Sequence, residues 1–383
     1  MNYNRRSKNS STTGVHLMCA TVFVLFSFCW LFFFQQDVLA MAQHVLSGGL
    51  THYNRLVGAI LITAVLYILQ IGVYNIIRLN RIAHALTYGP SFLLLGILSD
   101  VTEKSGGFVM HETSWWLIIF VLIVWLLAVF LARMIQEVGN DDKAGFISRS
   151  MWINMAVMAV LTLLVPWIGN SNAVFHYRMK VEQCLKDGDV DGALMAGRES
   201  LESDEHLLML RMYALARRGE LGERLFEYPI TGNSSQMLPT DSLSCMMLYP
   251  VDSMYKFIGA RPATRMAPVR YLELVQRRDT LPNKTVNDYL LCGMLIDRDL
   301  DGFVTNLGKY YHINDSLPKH YREALTLYTH MRSRPVVVYH NNVMDEDYDN
   351  LVELEKQYPL KSERMGKVEE HYRGTYWYFY RYE

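Results

Sequence analysis

After Trp167 the chain has no apolar run long enough to cross a bilayer, which takes about 17–25 residues. Everything membrane-like therefore precedes that point, and the rest reads as water-soluble. An excess of one charge is missing too. Lys and Arg number 37 against 38 Asp and Glu, leaving a net charge of −1 and no electrostatic case for nucleic acid. Cysteine is scarce, with five in the chain. Cys19 and Cys29 fall in an apolar run, where they behave as small apolar residues. Cys184, Cys245 and Cys292 are far apart, so an oxidising compartment permits one disulfide without fixing the pair.

Motifs that carry chemistry are also absent. There is no C-x-x-C, P-loop, dinucleotide glycine fingerprint, G-x-S-x-G elbow or H-E-x-x-H. His111-Glu112 begins like the last of these, but no second His follows. Neither a cofactor nor a metal is expected. Two S-x-x-K matches, Ser253 with Lys256 and Ser316 with Lys319, fit so permissive a pattern by chance. Asp189-x-Asp191 and Asp299-x-Asp301 echo the metal-binding pairs of glycosyltransferases. Both fall at inter-helix turns, where Asp and Gly are expected for backbone reasons.

What is present begins with five apolar runs, at about 15–34, 56–77, 82–99, 114–132 and 151–168, after a tail over 1–14. Basic residues set their orientation. Arg5, Arg6, Lys8, Arg78, Arg81, Arg133, Lys143 and Arg149 occupy one alternate set of loops, and only Arg55 and Lys104 the other. That bias puts the amino-terminal tail in the cytoplasm. Five crossings then carry residues 172–383 to the far side, the periplasm of a Gram-negative cell. The run at 82–99 is the weakest, with His84, Thr87, Tyr88 and Gly89-Pro90. It reads as a kinked helix; as a re-entrant hairpin it would reverse the soluble half. Ala40-Met41-Ala42 offers a signal-peptide cleavage site, but an apolar core of about twenty residues exceeds the 7–15 of a signal and predicts an uncleaved anchor.

The soluble half reads as helical. Apolar spacing predicts helices over 173–187, 190–201 and 205–218, with stops at Asp187-Gly188-Asp189 and Gly219. Gly-Asp in the turn, with Ala193 six residues after Asp187, resembles a tetratricopeptide unit whose aromatic and proline landmarks are missing. A loop follows over 229–241, then helices near 242–258, 264–278, 284–297, 299–311 and 318–332. For the last, Asp315 or Ser316 is the expected cap and Pro318 suits the first turn. Val336-Val337-Val338 predicts an extended connector before a polar helix near 345–357.

Four segments carry a resemblance: FFFQQDVLAMAQHVLSGGLTHYNRLVGAILIT (32–63), ERLFEYP (223–229), LPKHYREALTLY (317–328) and GTYWYFYRY (374–382). Together they resemble a family of uncharacterised Bacteroidota multi-pass membrane proteins. The resemblance implies a Gram-negative envelope and a helical-repeat domain outside the inner membrane. It carries over no catalytic residue.

Two places stand out as candidate sites. Between the first two runs lie Gln35, Gln36, Asp37, Gln43, His44, His52, Tyr53, Asn54 and Arg55. Asp37, His44 and His52 could form a proton relay, an acid–base pair, or a headgroup or metal site. The plainer reading is a wet loop, with 37–46 lying along the interface as an amphipathic piece. The aromatic run from Tyr372 to Tyr382 packs on the helical domain, or else docks at a membrane or a partner.

The expectation is an all-α inner-membrane protein: a five-helix transmembrane domain followed by a periplasmic tetratricopeptide-like domain. Its partners would be membrane lipids and an envelope protein held on the repeats. The rival is an enzyme or transporter of lipid-linked or glycan substrates using Asp37, His44 and His52.

Overall fold

The computed structural model describes residues 2–79, 81–104, 107–109, 113–137, 149–239, 246–278 and 283–383; within these, side chains are left out at 2–12, 103–104, 107–109 and 135–137. Lys143, the pair His111-Glu112 and Cys245 lie outside the described residues. The chain forms two compact units, Met1–Asn172 and Ala173–Glu383.

In the first unit α1 (Asn2–Cys29) turns into a π-helix at Trp30–Phe34 and is followed by α2 (Gln36–Leu46) and α3 (Arg55–Ile77). A 3₁₀ turn (His84–Tyr88) leads into α4 (Gly89–Ser99). A small antiparallel ribbon, β1 (Thr102–Lys104) with β2 (Gly107–Val109), precedes α5 (Trp115–Glu137) and α6 (Arg149–Ile168). Four helical stretches are long and apolar enough to span a membrane: Thr13–Phe34, Arg55–Ile77, Trp115–Met134 and Arg149–Ile168. The run at 82–99 is not the single kinked helix that its sequence predicts. Pro90 has no N–H to continue a helix from 84–88 and instead occupies the first turn of a new one. By itself α4 is about 16 Å long, short of the roughly 30 Å hydrocarbon layer.

Contacts nevertheless carry residues 84–99 from one end of the bundle to the other. At one end the His84 ring stacks on His16 near the start of the first span, and Tyr74 at the end of α3 meets both edge-on. At the other, Trp30 Nε1 donates to Ser99 Oγ at 2.9 Å, and Gln35 Nε2 donates to the Asn170 carbonyl at 2.9 Å. The non-helical stretch before the 3₁₀ turn is satisfied by one side chain. Buried Asn154 donates to the carbonyls of Arg81 (2.7 Å) and Ile82 (3.1 Å) and accepts from Ala85 N–H (2.7 Å). Irregular backbone at membrane depth persists only with such partners. Small residues bring α4 against α6: a Cβ on Gly169 would stand 2.9 Å from Ser99 Cβ and 3.1 Å from the Val165 carbonyl.

The second unit is helical throughout its described residues. It opens with α7 (Ala173–Asp187), α8 (Val190–Met195), α9 (Glu205–Arg218) and α10 (Leu221–Arg224). Next come α11 (Val251–Ile258), α12 (Pro268–Arg278), α13 (Lys284–Ile296) and α14 (Leu300–Tyr310). It ends with α15 (Lys319–Met331), α16 (Asn342–Gln357), α17 (Lys361–Tyr372) and α18 (Tyr376–Tyr382). Helices α9, α13 and α15 are buried on nearly every face and form the core. The expected second helix is shorter than 190–201, because Gly197 takes a left-handed φ of +62°. Pro318 itself is the residue preceding α15; Asp315 instead accepts from Asn341 Nδ2 (2.7 Å) and the Tyr339 hydroxyl (3.1 Å).

Three of its turns are built alike. Gly188, Gly219 and Arg298 close α7, α9 and α13 with φ of +80°, +75° and +58°. In each, the next residue's N–H returns to a carbonyl five residues back: Asp189 to Cys184 (2.8 Å), Glu220 to Leu215 (3.0 Å) and Asp299 to Met294 (2.8 Å). In the first and third the following aspartate caps the next helix, Asp189 on Gly192 N–H and Asp299 on Gly302 N–H. The third Asp of each run pairs with a distant arginine, Asp191 with Arg218 and Asp301 with Arg332. Residues 187–193 and 297–303 are thus one turn used twice.

Candidate functional site

Of the three residues singled out between the first two apolar runs, the fold brings two to one helix. Asp37 lies in the first turn of α2 and His44 in its last, two turns apart, both half-buried and both engaged with neighbours. His52 is exposed in the connector after α2. That connector is pinned by Gln43 Nε2 donating to Thr51 Oγ1 (2.9 Å), and Arg55 Nη1 reaches Gln36 Oε1 at 2.8 Å. Buried polar groups gather behind α2. Besides Gln35, they are Ser99, Asp100 and Asn170; Asp100 Oδ2 accepts from Thr113 N–H at 3.0 Å. No group of three or more His, Cys, Asp or Glu able to hold a metal ion occurs among the described residues.

At the opposite end of the bundle, sequence reasoning missed the His16–His84 stack, whose ring centroids are 3.7 Å apart and nearly parallel at 7°. His84 is 3% exposed and its Nδ1 has no hydrogen-bond partner among the described residues. The pairing joins residues 68 apart in sequence, so no local spacing announces it.

In the second unit, three of the segments that carry the family resemblance meet in one node. Phe226 N–H donates to His320 Nε2 at 3.2 Å, which makes that nitrogen the acceptor and leaves the ring proton on Nδ1. His320 Nδ1 then donates to Glu323 Oε2 at 2.9 Å, and the same oxygen accepts from Tyr376 N–H at 2.7 Å. The Glu323 carbonyl takes Trp377 Nε1 (2.7 Å), and Lys319 N–H donates to Glu223 Oε2 (2.7 Å). Phe226 packs on Tyr376 and Phe379, with centroids 5.0 and 4.9 Å away. The terminal aromatic run is therefore a helix packed into the domain. Thr375 caps it, and Tyr376 to Phe379 are buried.

Beside this node a cavity of about 510 Å³ opens between α15, α16, α17 and α18. Glu323, 1% exposed, lines it from below and Asp347 from α16. Oε1 of Glu323 has Lys319 Nζ at 3.8 Å, beyond hydrogen-bond reach, while that amine donates to the Gly374 carbonyl at 3.3 Å. Met344, Leu354 and Trp377 supply the apolar lining.

Two further carboxylates are buried in this unit. Glu182 Oε2 accepts three successive backbone N–H groups, from Met247 (2.8 Å), Leu248 (2.7 Å) and Tyr249 (3.1 Å). Burial outweighs those bonds and the nearby Arg178, pushing its acid dissociation up to about 7. Asp288 accepts from the hydroxyls of Tyr311 (2.5 Å) and Tyr321 (2.9 Å), and burial raises it as well. Both serve packing. In the second S-x-x-K match Ser316 Oγ donates to Asn314 Oδ1 and Lys319 reaches the Gly374 carbonyl, so the two side chains are engaged elsewhere. Among the described residues no disulfide joins Cys184 to Cys292.

Residues 274–383 match the model of a family of unknown function, DUF6057. The match covers α15 to α18, and with them the cavity and two of the three segments of the node. No curated protein and no solved structure matches the chain.

Proposed function

We propose that this chain is an inner-membrane protein whose second unit lies in the periplasm and docks an envelope protein on a tetratricopeptide-like helical body. The observation that carries this reading is the open, mixed-charge cavity beside the node, on a unit with a core of its own. The three like turns favour a repeat. The basic-residue bias and the end-to-end run of residues 84–99 favour five passes with the amino-terminal tail inside. The family resemblance favours a Bacteroidota envelope.

Two measurements test it. Phosphatase joined after Glu383 is expected to be active and after Lys143 inactive; the reverse pattern would move the second unit to the cytoplasm. Purification in mild detergent is expected to recover a protein partner, and loss of that partner should follow changes on the second unit's surface. The rival, a membrane enzyme or transporter of lipid-linked or glycan substrates, draws on Asp37 and His44 sharing α2. If it holds, Asp37→Asn and His44→Ala remove the cellular phenotype while protein level and partner recovery stay normal.

A further inference from the structure

We infer that the cavity between α15 and α18 receives the basic side chain, arginine or lysine, of the docked protein; this rests on the docking function proposed above. Two carboxylates face the cavity, with one amine and the His371 imidazole. The amine of Lys319 is already committed to the Gly374 carbonyl and lies nearest Glu323, so its charge is balanced within the wall. Asp347 is exposed, and its carboxylate has no ion pair among the described residues. Glu323 contributes Oε1, which has the Lys319 amine at 3.8 Å. A cationic head entering here meets Asp347 at the rim and Glu323 below. Its aliphatic stem lies against Met344, Leu354 and the Trp377 ring, as long basic side chains do on apolar walls.

The surroundings repeat this charge preference. Along α16 stand Asp345, Glu346, Asp347, Asp349, Glu353 and Glu355 against Lys356; Asp345 is paired with His330 and His340 and Glu355 with Arg381, which leaves four acids against one lysine. An anionic or purely apolar ligand would have to displace the Lys319 bond or leave Asp347 desolvated without a partner, and desolvated unpaired charge is costly. A volume of about 510 Å³ also exceeds a lone ammonium ion and suits a side chain with part of its backbone.

The test uses the full chain in detergent with two fluorescein-labelled peptides, Gly-Ser-Arg-Leu-Arg-Ser-Gly and the same peptide with citrulline for arginine. Citrulline keeps the shape and removes the charge. The arginine peptide is expected to bind at least tenfold more tightly, by anisotropy. Asp347→Lys should cost tenfold or more, with Asp347→Glu close to the parent. Glu346→Gln, on the same helix and outside the cavity, should change binding less than twofold. Equal binding of the two peptides, no binding, or equal losses from Asp347→Lys and Glu346→Gln would overturn the inference. Displacement by spermidine at lower concentration than by unlabelled peptide would also overturn it, in favour of a free amine. If the arginine preference fails while a protein partner is still recovered, this inference falls and the docking reading stands. If no partner is recovered at all, the docking reading itself falls.

Discussion

Glu182 shows how a single residue can set a pH dependence without taking part in any site. Three amides on one oxygen favour the carboxylate, yet complete burial disfavours charge, and burial wins, placing the group at about 7 against an ordinary 4.5. A carboxyl raised on folding binds its proton more tightly in the native state. Its stabilising contribution is complete below about 4.5 and is lost as pH rises through about 7. That contribution is on the order of 3 kcal/mol. Denaturant unfolding of the second unit, followed by near-ultraviolet circular dichroism, should therefore show stability falling between pH 4.5 and 7.5. Glu182→Gln keeps an acceptor for the amides without the titration and should flatten that slope. An unchanged slope would mean that other groups produce it. His320 and Glu323 differ in kind. Each polar atom they turn into the node has a partner, and they act by joining segments.

At the scale of elements, the two like turns can be weighed against each other. Gly188 occupies a left-handed conformation with nothing within 4 Å of an added Cβ, so Gly188→Ala loses only backbone ease, about 1 kcal/mol. Arg298 holds the same conformation with a side chain, and its guanidinium sits 4.9 Å over the Phe379 ring. Arg298→Gly gains about 1 kcal/mol from the backbone, loses a cation–π contact worth about 0.5–1 kcal/mol and loses a hydrogen bond from Nη2 to the Phe379 carbonyl (3.4 Å) worth about 0.5–1.5 kcal/mol, so it should destabilise by up to about 1.5 kcal/mol. With Phe379→Leu already made, the ring contact is gone while the carbonyl remains, and the same change should cost about 0.5–1 kcal/mol less. A thermal melt of the four variants decides it, and an equal cost of Arg298→Gly in both backgrounds would show that the ring contact contributes nothing. Helices α7 and α9 were legible in sequence, since apolar spacing and a glycine stop state their limits locally. Helix α18 was not. Its run of aromatics has no helical period and modest intrinsic propensity, and it is held by Phe226 and Glu323, each more than fifty residues away. The same distance hid the His16–His84 stack. Asp37 and His44 share α2, and their spacing shows in sequence because seven residues is a local relation. The break before Pro90 was visible as a Gly-Pro pair, but Asn154, which satisfies the broken backbone, is about seventy residues further on.

At the scale of the whole molecule, two units with separate cores predict separate failures. Removing residues 374–383 leaves every apolar helix of the first unit untouched. In the second it strips Glu323 of two partners and Phe226 of two ring neighbours. The shortened chain should still reach the membrane fraction and resist alkaline extraction, while its second unit loses its cooperative melt and becomes sensitive to protease. Truncating a single aromatic, Trp377→Ala, should cost about 3–5 kcal/mol and move the melt in the same direction. A shortened chain whose second unit melts normally would show that α18 lies on a finished core instead of completing one.

The position of α18 at the end of its unit also orders events in time. Synthesis runs from α7 toward α18, so Phe226, His320 and Glu323 leave the ribosome before the rings and amides that close over them. Until α18 follows, a buried carboxylate and an apolar face remain open, and the family-matched segment is the last to settle. Helices α7 to α10 leave the ribosome well before α18 can close over Phe226. The membrane unit precedes all of this and can be inserted first, so the second unit completes its fold while already tethered to the bilayer. Tethering confines that half-built stage to a surface.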